Sequence, residues 1–238
     1  MNHLKQISVV LLSIVILFSS CKKVEGEGPV VTEVRNHTGF SGIDLRSSAN
    51  VYYKYDSVYK VEVKGQQNIL DVLITEITNN TLVIRYKNDV KVRTSEPIQV
   101  IITAPQINNI RNSGSGDIRT LDLISTAELK ADVSGTGDIL IYELNALLLD
   151  ANISGSGDIK LNSGMINEEK LKISGSGNVD VSSANTAKAS TIISGSGNIW
   201  LNVSQDLDVT ISGSGSVYYK GQPTVHTTIS GSGKVRTF

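Results

Sequence analysis

The stretch Ser113-Gly114-Ser115-Gly116-Asp117-Ile118 recurs along the chain in nearly unchanged form. Copies begin at Ser113, Ser134, Ser154, Ser174, Ser194, Ser212 and Ser230, at steps of 21, 20, 20, 20, 18 and 18 residues. A fixed period of about 20 residues is the mark of a repeat architecture, so the repeat is read before anything else. After each copy comes a β-branched residue: Ile118, Ile139, Ile159, Val179, Ile199, Val217 and Val235. Before each copy, from the second onward, stand Val133, Ile153, Ile173, Ile193, Ile211 and Ile229. Two residues earlier lie Ala131, Ala151, Leu171, Thr191, Val209 and Thr227, and two earlier again Leu129, Leu149, Glu169, Ala189, Leu207 and Val225. This period-two alternation is that of a strand with one buried face. Glu169 interrupts it with a carboxylate, and Asn112 replaces the apolar residue before the first copy.

Each unit is therefore strand, glycine turn, strand and a variable return. Glycine is expected at the turn because it reaches positive φ without a Cβ clash. Asp and Asn after it tolerate left-handed geometry. Stacked units place like residues above one another at roughly 4.8 Å, giving an inner column of Ile and Val about 30 Å long. No single unit can bury its own apolar face, so its neighbours must. The expected fold is all-β, a parallel β-helix (β-solenoid) of about seven regular rungs. A meander of antiparallel hairpins would also line the glycines along one edge. Leucine-rich repeats lack their Leu-x-x-Leu-x-Leu pattern here, and calcium-binding nonapeptides recur about every nine residues.

Outward from the repeat, Ser47-Ser48-Ala49-Asn50 sits between alternating Ile43/Leu45 and Val51/Tyr53. It reads as a degenerate earlier turn that enters the same solenoid. Alternation places Tyr53 inside and Tyr52 outside. Residues 58–104 read as β-rich without repeating: strands at Val61–Val63, Leu82–Tyr86 and Val100–Thr103, a turn at Asn79-Asn80, and one short helix from Asn68 to Thr75 capped by Asn68.

The first residues read as a lipoprotein signal, 1–20. Lys5 supplies the positive region, Ile7 to Phe18 is an apolar run too short to span a bilayer, and Ser19-Ser20 precede the chain's sole cysteine, Cys21. Cys21 is the expected lipidation site, and several acyl chains hold far better than one. Lys22, rather than Asp, follows it, which by resemblance to other Gram-negative lipoproteins permits sorting to the outer membrane, on either face. Residues 21–30 form the lipidated cysteine and a polar tether over Val24 to Pro29. Residues 31–108 form the less regular β-rich part, and 109–238 the repeat domain. A net charge of −1 argues against a nucleic-acid partner, which would need a basic face.

These residues carry a resemblance. Phe40-Ser41-Gly42-Ile43-Asp44-Leu45, Gln67-Asn68-Ile69-Leu70, Thr81-Leu82-Val83-Ile84, Val100-Ile101-Ile102-Thr103-Ala104-Pro105 and the later GSG turns are similar to the head GIN domain family, described as auto-transporter adhesins of Gram-negative bacteria. The resemblance spans about residues 31–238. It implies a right-handed parallel β-helix, adhesion or surface interaction, and no family catalytic residues.

Asp117, Asp138 and Asp158 share one position in three consecutive rungs. Such a carboxylate ladder could hold calcium or a glycan, or cleave one. It could equally be a column of good turn residues. The column continues as Asn178, Asn198, Ser216 and Lys234, which suits the turn and not a charge-based site. Calcium needs six to eight oxygens, more than three Asp supply. The hydroxyl column from Ser115 to Ser232 has no recurring His or Lys beside it, and His37 and His226 are isolated, so neither a triad nor a zinc site is read. Trp200 and Tyr218 occupy one solvent-facing position on successive rungs and are candidate partner-facing aromatics. Three readings follow: a non-enzymatic cell-envelope lipoprotein binding a surface glycan or protein; a glycan-binding or polysaccharide-active β-helix using the Asp ladder; and a periplasmic structural or assembly module, a homo-oligomer paired through its uncapped last rung. No cofactor is expected beyond, at most, calcium.

Overall fold

The structure, a computed structural model, describes residues 22–238. The signal segment and Cys21 lie outside the described residues. The chain winds into a β-solenoid of about six turns. An incoming sheet holds the strands that precede each glycine turn: Asn109–Asn112, Leu123–Val133, Glu143–Ile153, Gly164–Ile173, Ala184–Ile193, the second half of Ile199–Ile211, and Thr224–Ile229. An outgoing sheet holds those that follow: Ile118–Thr120, Ile139–Ile141, Ile159–Leu161, Val179–Asp180, the first half of Ile199–Ile211, Val217–Lys220 and Val235–Thr237. All these pairings are parallel, with Ile118 over Ile139, Ile139 over Ile159 and Ile153 over Ile173, so the hairpin meander is ruled out. The Ile and Val columns flanking the turns are buried from Ile118 to Val217. Each such side chain contributes roughly 1.5–3 kcal/mol when fully removed from water.

A bend on the side opposite the glycines, the return edge, joins the two sheets. There the buried positions change parity, from Ile124 to Leu129 and from Leu144 to Leu149. The chain turns a corner at Ala127 and Leu147, where an extra residue flips the pleat. The last coils are shorter. The 13-residue strand Ile199–Ile211 keeps one parity throughout, and the register shifts between Thr186 and Lys188 where the longer coil meets the shorter one.

The degenerate copy joins the stack as expected. Gly42–Leu45 pairs with Asn109–Asn112, and Asn50–Tyr55 with Ile118–Thr120, placing Ile43 beside Ile110 and Val51 beside Ile118. Beyond this rung Thr81–Tyr86 and Gln99–Ala104 add in parallel. Val30–Arg35, Lys60–Gln66 and Leu73–Thr78 then add antiparallel, so the N-terminal end changes from a solenoid to a folded-over sheet. Tyr53 is buried and Tyr52 half-buried on the outer side. Asn79 (φ 49°) and Asn80 (φ 59°) make the tight turn before Thr81.

Two expectations about this end are corrected. The helix is a single turn, Gln67–Leu70, and Leu73–Thr78 is a strand. Asn68 does not cap that helix. Its side chain donates to the Glu25 carbonyl at 2.6 Å and accepts from the Glu27 N–H at 3.1 Å. Those bonds also show that the stretch read as a tether is held down over its first half, where Lys22–Glu25 forms a parallel strand with Val90–Arg93.

The glycines are at the turns for a different reason from the one expected. Among the glycines of the described residues positive φ occurs at Gly28, Gly39 and Gly221, not in the repeated turns. What the repeat needs is close approach. A Cβ on Gly135 would overlap the carbonyl oxygen of Gly114, one on Gly155 that of Gly135, and one on Gly175 that of Gly155. The corner backbone packs rung on rung with no room for a side chain.

Among the described residues two carboxylates are buried, Asp44, which pairs with Arg46 at 2.6 Å, and Glu169, which stands in an inner column. Glu169 takes the column position held by Leu149 on one neighbouring rung and Ala189 on the other, and is fully buried. Thr186 donates its hydroxyl to Oε1 at 2.7 Å, while Oε2 has no partner. Burial pushes its pKa up to about 8, the Thr186 hydrogen bond opposing only in part.

Candidate functional site

The turn edge brings Asp117, Asp138 and Asp158 into one column and gives them a definite task. The N–H of Asp117 donates to Asn50 Oδ1 (3.1 Å), that of Asp138 to Asp117 Oδ1 (3.1 Å), and that of Asp158 to Asp138 Oδ1 (2.8 Å). The N–H of Asn178 donates to Asp158 Oδ1 (2.7 Å), that of Asn198 to Asn178 Oδ1 (2.9 Å), that of Ser216 to Asn198 Oδ1 (2.9 Å) and that of Lys234 to Ser216 Oγ (3.1 Å). Each side-chain oxygen thus accepts the backbone amide of the next rung, which would otherwise be left open at the corner. Asp and Asn interchange because each presents an Oδ1. The second oxygen of Asp117 pairs with Arg119 at 3.2 Å. Among the described residues no group of three or more His, Cys, Asp or Glu is arranged to hold a metal ion.

This ladder makes a sharp prediction. Asp138→Asn keeps the acceptor and relieves repulsion from Asp117 and Asp158, so its melting temperature should equal or exceed the wild type. Asp138→Ala loses the acceptor, costs about 1 kcal/mol and lowers the melting temperature by roughly 2–4 °C. Thermal denaturation of the pair reads the difference. Equal loss in both would mean that the charge, not the acceptor, matters.

On the outer face of the outgoing sheet Trp200 and Tyr218 sit in register. Their rings stack on one another, centroids 5.3 Å apart and planes within 9°. One face of each ring is taken up by its neighbour, so the pair is first an aromatic ladder between rungs. Lys220, two residues beyond Tyr218, holds its Nζ 4.7 Å from the centre of the Phe238 ring.

A third region was not foreseen from the sequence. Tyr53, Tyr55, Pro105, Ile107, Asp122 and Ile124 line a cleft of about 350 Å³ at the return edge. Its floor is fixed by the Tyr53 hydroxyl, which donates to the Ala104 carbonyl at 3.0 Å. Burial pushes that hydroxyl's pKa up to about 12, so it remains a donor. Asp122 Oδ2 accepts the Tyr55 N–H at 3.2 Å and ties the rim together. Around the cleft, apolar side chains face solvent on successive coils: Tyr55 (57% exposed), Leu121 (47%) and Tyr142 (51%), with Leu123 between. Leu147, on the same coil as Tyr142, and Met165, on the next coil between Asn145 and Asn185, are exposed farther along. Exposed apolar side chains gathered beside a cleft mark interaction sites, and the volume lies within the range of ligand clefts.

Residues 39–223 match the family model described as "Putative auto-transporter adhesin, head GIN domain". The chain belongs to the head GIN domain family. Its fold is shared by the solved structure of a "putative adhesin" from Bacteroides fragilis, 26% identical, with a TM-score of 0.85 over 90% of this chain and 100% of that one. A "putative adhesin" from Parabacteroides merdae is 21% identical, with a TM-score of 0.73 over 91% and 99% of the two chains. A "Putative lipid binding protein" from Parabacteroides distasonis is 23% identical, with a TM-score of 0.74 over 91% and 100%. No curated protein matches the chain.

In this head GIN domain the remaining titratable candidates stay apart. His37 Nε2 lies 2.9 Å from Thr75 Oγ1 at the N-terminal end, and burial with the nearby Arg35 charge holds its pKa below the ordinary value. His226 pairs with Asp208 in backbone register on the exposed face of the incoming sheet. The cleft escaped sequence reading because it is assembled from three segments, 53–55, 105–107 and 122–125, none of which repeats. The signal that was present is the run Leu121-Asp122-Leu123-Ile124, which carries more apolar residues than one buried face can take.

Proposed function

We propose that the protein is a non-enzymatic, lipid-anchored module of the cell envelope that binds a surface partner, a protein or glycan, through the return edge of its solenoid. The observation that carries this is the apolar patch of Tyr55, Leu121, Leu123 and Tyr142 beside the Tyr53 cleft. It is exposed on a scaffold whose other outward strands are largely polar. A stack of parallel rungs with a continuous core holds such a surface rigid, which lowers the ordering cost of binding. Acylation of Cys21 would tether the N-terminal end to the outer membrane and leave the coils free to reach outward. The adhesin descriptions of the family and of solved relatives support this reading. The description of one relative as lipid-binding supports a variant in which the cleft receives a hydrocarbon chain.

The test has two arms. Protease treatment of intact cells is expected to cleave the protein, and cleavage seen only after the outer membrane is opened would replace adhesion with a periplasmic structural role. Beads coated with the Leu121→Ser/Tyr142→Ala variant should attach to partner cells at least tenfold more weakly than wild-type beads. The melting temperature should stay within about 2 °C, because both side chains are half exposed. Undiminished attachment would remove the return edge from the function.

A further inference from the structure

Charge is mixed along the chain until the last coils. From Val209 to Phe238 there is no Asp or Glu, while Lys220, Lys234 and Arg236 all fall there. All three belong to the outgoing-sheet side. Arg236 pairs with Tyr218 in register, Lys220 follows Tyr218 by two residues on the same face, and Lys234 precedes Arg236 by two. Three cations thus surround one tyrosine across two adjacent rungs, each exposed. Upstream on the same face Arg119 is matched by Asp117. Among the described residues the ion pairs include none of the three distal cations. The nearest acid in this column is Asp180, paired with Trp200 and on its far side from Tyr218. Its Oδ1 already accepts the N–H and the hydroxyl of Ser182.

Unmatched like charges gathered on a rigid face repel one another, and an anionic ligand relieves that repulsion. Arg offers a planar fork to carboxylate or sulfate, and Lys a point charge. Trp200 and Tyr218 add an indole N–H and a phenol hydroxyl to the same face, donors that suit sugar hydroxyls. The face is flat sheet, not a pocket, and its cations sit on successive rungs. That geometry fits an extended polymer carrying a charge on each unit better than a single small anion. We propose that the distal outgoing face, centred on Tyr218, binds an anionic polysaccharide, a glycan chain bearing carboxylates or sulfates. This site is separate from the return-edge cleft and would stand if that reading failed.

The test uses the full chain, purified in a non-ionic detergent, in affinity electrophoresis through gels containing polygalacturonate, heparin or neutral dextran. Retardation by one or both acidic polymers and none by dextran is expected, weakening as salt rises. Lys220→Gln/Arg236→Gln should reduce the affinity at least tenfold, while Lys64→Gln/Lys87→Gln, which removes the same charge at the other end, should leave it within twofold. A circular-dichroism melt confirms that both variants fold. Retardation by neither acidic polymer, or equal binding by the distal variant and the control, would overturn the proposal. Vesicles containing anionic phospholipid form a separate arm, run on protein lacking the acyl chains through Cys21→Ser. Binding to vesicles in preference to the polymers would assign the cations to a lipid surface and overturn the glycan.

Discussion

Gly175→Ala is expected to lower the melting temperature by about 10 °C or more. The added Cβ would sit on the carbonyl oxygen of Gly155, a backbone atom held by the Ser176 and Gly177 amides and unable to swing away as a flexible side chain could. Relief requires the two rungs to part, which lengthens the N–H···O bonds of the corner and opens the Ile153–Ile173 contact beside it. A cost above about 3 kcal/mol follows from overpacking plus lost backbone bonds. Ser176→Ala, one residue away and exposed, should stay within about 0.5 kcal/mol of wild type. Paired thermal melts settle it, and a Gly175→Ala protein as stable as Ser176→Ala would mean that the corner is not close-packed.

Glu169→Leu is expected to do the opposite, raising stability by on the order of 3 kcal/mol or more at pH 8. The carboxyl is raised from an ordinary 4.5 to about 8 by burial. Between those values the folded chain keeps a proton that the unfolded chain has released. Stability is therefore complete below about pH 4.5, falls as pH rises through the window, and levels off above about 8. Leucine removes the titration and restores the residue type found at Leu129, Leu149 and Leu207 in the same column. Wild type should lose stability steadily from pH 5 to 8, while the variant stays level. The two should converge near pH 4.5, less whatever the Thr186 hydroxyl loses with its acceptor. Urea titrations at several pH values provide the measurement, and parallel pH profiles for the two proteins would show that Glu169 is not buried as described.

Both predictions show where sequence and structure divide the work. The inner columns were legible because period-two alternation in phase with a 20-residue repeat fixes side-chain direction and rung order together. The same logic found Ser47 to Asn50 as a turn without a single glycine, and it marked Glu169 as the odd residue in its column. It could not show how far that carboxyl lies from water, which depends on Thr186 and Ala189 in the next rung. It assigned the wrong reason to the glycines, since a stacking clash involves a residue 20 positions away and leaves no local trace. The start of the Leu73–Thr78 strand, Leu73 to Thr75, was misread as helix because Ile69, Leu70 and Leu73 fall at helical spacing, and only pairing with Thr81–Tyr86 overrides it. Of the candidate sites, the Asp column was visible as a column but not as a chain of acceptors. The return-edge cleft was invisible because it belongs to the part of each unit that varies.

The acceptor chain from Asn50 to Ser216 also has a direction. Each member offers an oxygen to the rung that follows it, and Lys234, whose N–H donates the last of these bonds, offers an ammonium instead. A further rung, or a second molecule docking end to end, would bring its own corner amide against a positive charge with nothing to accept it. Solenoids risk growing into fibres through their free strand edges, and a lysine at such an edge discourages it. The column thus closes at Lys234 on a charge with no acceptor to offer, at the same position that elsewhere joins one coil to the next.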